Sequence, residues 1–169
     1  MGLSVVVSGA IIMFALVYIL LTVPGIVNQT TTITKASSDI SEVEDSILRT
    51  NISIDTISAS SGSSEIDFTV SNSGTEKLWD YSKFTLIVTY EYAGGTKTET
   101  LIYAGTCSSP SSGTWCVSSI TSDNVEPNIL NSDEVLNVHS SASQTLASGT
   151  VIATFSTDNG IVASRTDSI

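Results

Sequence analysis

The chain has 169 residues, 41% of them hydrophobic, and sets 17 acidic against six basic side chains for a net charge of -11. That length accommodates one apolar span and one domain of ordinary size, not two deep cores. The charge argues against nucleic acid and anionic lipid headgroups as partners of the soluble part, since phosphate-rich surfaces are bound through lysine and arginine. A basic or cation-bridged partner fits better.

The opening stretch, MGLSVVVSGAIIMFALVYILLTVPGIVNQT, carries no charge, and the first charged side chain is Lys35. Thirteen residues between Val5 and Val23 are Val, Ile, Leu, Met or Phe. A cleavable secretion signal needs a basic start and a shorter apolar core. As a helix, Leu3 to Val27 reaches about 37 Å, against about 30 Å of membrane hydrocarbon. Residues 1–27 are therefore expected to be retained, as a transmembrane or filament-core helix. No lysine or arginine precedes the segment, so the positive-inside rule does not orient it, and the character of the domain must. Pro24-Gly25 is expected to be a hinge at the outer interface.

Residues 28–50 read as a stalk helix. Ala36, Ile40, Val43 and Ile47 are spaced by four, three and four, which makes a single apolar stripe. Such a stripe serves either self-association, as in a coiled-coil seam, or packing on the chain's own domain.

From residue 51 the period becomes two, and residues 51–169 read as one β-domain. EIDFTV puts Ile66, Phe68 and Val70 on one face; KFTLIVTYEY does the same with Phe84, Leu86, Val88, Tyr90 and Tyr92. Gly94-Gly95 is expected to turn the second of these into TKTETLIY. Further strands are expected at 51–59, 115–121, 134–140, 150–156 and 161–166, the last two joined by Asp158-Asn159-Gly160. Some eight strands with no interior helix predict a mainly β fold, an antiparallel immunoglobulin-like β-sandwich behind an N-terminal helix. Trp79 and Trp115 are expected in the core or at its rim.

Cys107 and Cys116 enclose the eight residues Ser108 to Trp115, with Pro110 and Gly113 among them. A disulfide across this loop is expected, contributing roughly 2 to 3 kcal/mol and implying an oxidising compartment. The sequons at Asn28 and Asn51 are N-glycosylation acceptors by pattern. An acidic, bridged domain of this kind belongs outside the membrane.

No catalytic constellation is found. His139 is the one histidine, and a chain this rich in serine matches a triad by chance. Cys107, Cys116 and His139 are too few for a closed zinc site. Asp123-Asn124, Asp133-Glu134 and Asp158-Asn159 are oxygen-rich turns of the sort that hold calcium, but none has the EF-hand spacing. They are read as solvated turns, and no cofactor is expected. An extracellular enzyme or sugar-binding module ranks last among the readings.

The start MGLSVVVSGAII, followed by FTVSNSGTEKL, SDNVEPNILNSDEVLNV and TFSTDNGIVAS, resembles the archaellin superfamily, and within it the accessory FlaF and FlaG proteins of the archaeal motility machine, the archaellum. Val70, Asn72, Gly74 and Leu78 are similar to the family's first strand and turn. Pro127, Leu130 and Glu134 are similar to its later edge strand. By their own chemistry, Asn72-Ser73-Gly74 closes a turn and Leu78 re-enters the core. The resemblance implies a FlaF-like stator, whose sandwich sits outside the cell membrane in the pseudoperiplasm and binds the surface-layer protein. It also implies other archaellum subunits as partners, with a homodimer or a filament as the assembled form. The alternative is a FlaG-like or pilin-like subunit polymerising through its N-terminal helix as an extracellular filament. Filament archaellins carry Lys or Arg before the processed glycine, whereas Met1-Gly2 opens this chain, so the accessory role is expected.

Overall fold

The computed structural model describes residues 2–123 and 125–169, with the side chains of residues 2–5 and 23–30 outside the description. The chain forms two compact units, residues 1–44 and 45–169. A single helix, α1, runs from Gly2 to Arg49. It continues through Pro24-Gly25, so the expected hinge is not a break in secondary structure. The lengths 1–27 and 28–50 are consecutive stretches of one element.

The large apolar residues between Val6 and Leu21 are exposed, Phe14 at 77% and Leu21 at 75%. Nothing among the described residues covers them. Among the described residues, no helix is long and apolar enough to cross a membrane.

The domain contains eight strands: β1 (Ile52–Ala59), β2 (Glu65–Asn72), β3 (Thr85–Tyr92), β4 (Gly95–Thr106), β5 (Thr114–Thr121), β6 (Val135–Ser141), β7 (Leu146–Ser156) and β8 (Val162–Ser168). Hydrogen-bonded order is β1-β2-β6-β5-β4-β3-β7-β8. β4 belongs to both layers: Gly95 to Leu101 pairs with β3, and Ile102 to Thr106 pairs with β5. The outermost strands approach one another, with Arg165 Nη1 donating to the Ile54 carbonyl at 3.5 Å.

The period-two faces account for the core. Ile66, Phe68 and Val70 of β2 are buried, as are Leu86, Val88 and Tyr90 of β3. Phe155 of β7 is central, its ring lying 5.8 Å from Phe68, 5.7 Å from Phe84 and 5.4 Å from Trp115, all edge to face. Such pairs add to the burial term, because ring edges and faces carry opposite partial charge.

Three features differ from the sequence reading. The sandwich is not wholly antiparallel: β4 and β5 run parallel. The loop after β4 doubles back along the strand, Gly113 accepts from Ile102 N–H at 3.0 Å, and Thr114 therefore starts beside Ile102. β6, which carries the Glu134 motif at its start, lies between β2 and β5, so it is an interior strand and not an edge. Trp79 is neither core nor rim; it is 64% exposed, while Trp115 is fully buried.

Candidate interaction site

The last turn of α1 is held in a socket made by two turns of the sandwich. Asn72, at the end of β2, is fully buried. Its Nδ2 donates to the carbonyls of Glu76 (2.8 Å) and Leu130 (3.2 Å), and its Oδ1 accepts from Gly74 N–H at 3.0 Å. This folds residues 72–76 into a tight turn whose N–H groups face the helix end. Thr75 and Glu76 donate to the Arg49 carbonyl at 2.8 and 3.2 Å; Ser73 and Gly74 donate to that of Asn51 at 2.9 and 3.2 Å. The bonds to Arg49 satisfy a carbonyl that a helix C-terminus otherwise leaves without a partner, and those to Asn51 hold the chain just beyond the helix. Arg49 adds charge of the favourable sign there, pairing with Asp45 and Glu76 at 3.1 Å each.

From the other side, Asn159 in the β7–β8 turn donates to Thr50 Oγ1 at 2.6 Å and Ser46 Oγ at 3.2 Å. Leu78 and Leu130 form an isolated bridge beneath the socket. Glu134 accepts from Asn131 N–H at 2.8 Å, and its own carbonyl accepts from Asn72 N–H at 3.2 Å. The structure thus gathers Asn72, Gly74, Leu78, Leu130 and Glu134 around one corner, where they hold the joint between helix and sandwich, while Val70 of β2 lies in the core. Pro127 stands apart, exposed on the 122–129 loop.

The other sequence-derived residues fall elsewhere. Cys107 and Cys116 form a disulfide with 5.7 Å between Cα atoms. Ala36, Ile40, Val43 and Ile47 are exposed on α1, Ile40 at 59% and Val43 at 56%. Asn51 is exposed and donates to Ser73 Oγ at 2.8 Å; the side chain of Asn28 lies outside the described residues, as does Asn124 of the first oxygen-rich turn. Among the described residues no three acidic, histidine or cysteine side chains converge as metal ligands. His139 Nδ1 lies 3.0 Å from Asp67 Oδ1, whose carboxyl burial pushes up despite the histidine beside it.

A cleft of about 580 Å³ opens beside the β4–β5 junction, lined by Trp79, Tyr81, Tyr103, Ser118, Ile120 and Asp123. The Tyr81 hydroxyl, its pKa pushed up by burial, donates to the Leu78 carbonyl at 3.1 Å. Tyr103 packs on Trp115 with ring centres 4.6 Å apart. Asp123 Oδ2 accepts from Asn128 N–H at 3.0 Å, while Oδ1 is buried without a partner among the described residues. Ser122, Glu126 and Asn128 of this loop have φ of 66°, 54° and 70°, a left-handed backbone that costs L-residues roughly 1 to 3 kcal/mol each. The Lys77–Glu126 ion pair at 2.5 Å ties the loop down. Sequence reasoning missed this cleft. The signal was a pair of aromatic residues, Trp79 and Tyr81, standing in the polar run after Leu78.

The domain is an immunoglobulin-like sandwich, and the N-terminal helix exposes an apolar face. Residues 48–161 match the family described as conserved flagellar protein F, immunoglobulin-like domain, and the chain belongs to that family. The fold recurs in a chain of the archaellum periplasmic stator protein complex FlaF and FlaG from Sulfolobus acidocaldarius, at 18% identity and TM-score 0.51, over 69% of this chain and 87% of that one. It recurs in archaeal flagellin FlaB1 from Methanocaldococcus jannaschii, at 10% identity and TM-score 0.51, over 70% and 89%. The archaeal flagellum of Methanospirillum hungatei strain JF1 is similar over 96% of this chain and 92% of that one, at 18% identity and TM-score 0.58. No curated protein sequence matches the chain.

Proposed function

We propose that this chain is a non-enzymatic stator of the archaellum, anchored in the cell membrane by its N-terminal helix, with the sandwich outside gripping the surface-layer protein. The observation that carries the reading is the membership of residues 48–161 in the flagellar protein F family, joined to an uncharged apolar N-terminal run. A stator must present a fixed body to a rotating one, and that work needs binding surfaces rather than catalytic groups. The socket around Arg49 and Thr50 supports it, because it fixes the helix end within the sandwich. The stripe Ala36, Ile40, Val43 and Ile47 then serves pairing with a second copy or another archaellum subunit.

A second reading is a filament subunit polymerising through α1. It is favoured by the likeness to the flagellum chain across both helix and domain. One experiment separates the two: the full-length chain, purified in detergent, is incubated with native cell envelopes and imaged by electron microscopy. Capture of the surface-layer protein without filaments supports the stator. Regular filaments without envelope capture replace it with the second reading.

A further inference from the structure

β5 pairs with β4 only as far as Thr106 opposite Val117, yet it continues to Thr121. On its other side β6 pairs with it to the end. The outward peptide groups of Ser118 to Thr121 therefore have no strand partner among the described residues, and they border the cleft. A free edge of this kind is a template for an added strand. Two side-chain features say what that strand carries. Trp79 offers an exposed aromatic face in the same cleft, and Asp123 brings a carboxylate oxygen that is buried and unpartnered. An unsatisfied buried oxygen is costly until a donor reaches it, and an aromatic face attracts cations.

We propose that the cleft takes an extended segment of a partner protein, which adds to the edge of β5 and sets a lysine or arginine side chain between the Trp79 ring and the Asp123 carboxylate. The net charge of -11 draws such a segment in and disfavours acidic ones. A neutral glycan would stack on Trp79 but would leave both the strand edge and the carboxylate charge unanswered. The inference rests on reading the sandwich as a protein-binding domain, without depending on which protein is bound.

The test uses the full-length chain in detergent and the synthetic peptide acetyl-TVTKTVT-amide, with versions carrying glutamate or norleucine in place of lysine. Trp115 is buried, so a shift in indole emission on titration reports Trp79. The lysine peptide is expected to bind about tenfold more tightly than the glutamate one. Asp123→Asn should erase that preference with an unchanged melting temperature, and Trp79→Ala should weaken lysine-peptide binding. Equal binding of the three peptides, no binding, or an emission shift with maltoheptaose and not with peptide overturns the proposal. Envelope capture by the same proteins keeps the two readings apart. Wild-type envelope capture together with no lysine preference in the peptide titration leaves the stator intact but overturns the cleft. Absence of wild-type capture, with lysine-selective peptide binding retained, overturns the stator and leaves the cleft.

Discussion

Asn72 is a buried amide that spends its hydrogen bonds on three backbone groups, and Gly74 beside it is pressed against the helix end. A Cβ at Gly74 would lie 2.3 Å from the Arg49 carbonyl oxygen and 2.5 Å from Asn51 N. These are backbone atoms and cannot swing aside, so Gly74→Ala should cost about 2 to 3 kcal/mol. Asn72→Ala orphans the Glu76 carbonyl and leaves that of Leu130 with the Leu78 N–H alone, and should cost about 1 to 3 kcal/mol; urea unfolding of the full-length chain measures both. Glu99 gives a pH prediction. Burial of its carboxyl opposes ionisation, but hydrogen bonds from Ser143 Oγ and N–H (2.5 and 2.7 Å) and from the Tyr90 hydroxyl (2.8 Å), together with Lys97 at 3.1 Å, hold its pKa down at about 2 against 4.5. A lowered folded-state pKa stabilises above the ordinary carboxylate value. That stability is expected in full above about pH 4.5 and lost as pH falls toward about 2. Glu99→Gln should flatten this acid limb of the urea midpoint against pH; an unchanged limb would assign it to other carboxylates.

At the scale of elements, the parallel β4–β5 pair depends on the loop between them. The disulfide fixes Cys107, at the outer end of β4, beside Cys116 on β5, and Cys107 N–H donates to the Val117 carbonyl at 3.1 Å. Full reduction should lower the melting temperature of the sandwich by several degrees, given roughly 2 to 3 kcal/mol for a loop this short; no shift in a calorimetric scan would mean the backbone bonds alone hold the junction. The strands themselves were readable because alternation reports a sealed face directly: Ile66, Phe68 and Val70 announce β2 whatever lies next to it. Neighbours are another matter. Local period says nothing about whether the chain doubles back before its next strand, so the parallel pair and the interior place of β6 were hidden. Trp79 is illegible for a related reason: size and apolarity predict burial on average, and only the tertiary arrangement shows a ring left over a cleft. The Asn72–Gly74 turn was legible as a turn, but its grip on Arg49 required knowing where the helix ends.

At the scale of the molecule, the chain forms two compact units. The core clustered around Phe155 belongs to residues 45–169, while the exposed apolar run lies in residues 1–44. On the proposed anchoring role, a charge placed midway along that run should disturb retention in the membrane and leave the sandwich alone. Ala15→Arg adds about 2.5 to 3.5 kcal/mol to the cost of placing the helix at the centre of a bilayer. Most of the variant should be released from membranes by carbonate extraction that leaves the wild type in the pellet. Its near-ultraviolet circular dichroism, dominated by the buried rings of the core, should be unchanged. Retention of the variant in the membrane pellet would place the anchor elsewhere, and a collapsed near-ultraviolet spectrum would show that the sandwich depends on α1 beyond its last turn. If α1 instead serves a filament core, the same arginine would fall among packed apolar helices, and filaments rather than membrane retention would be lost.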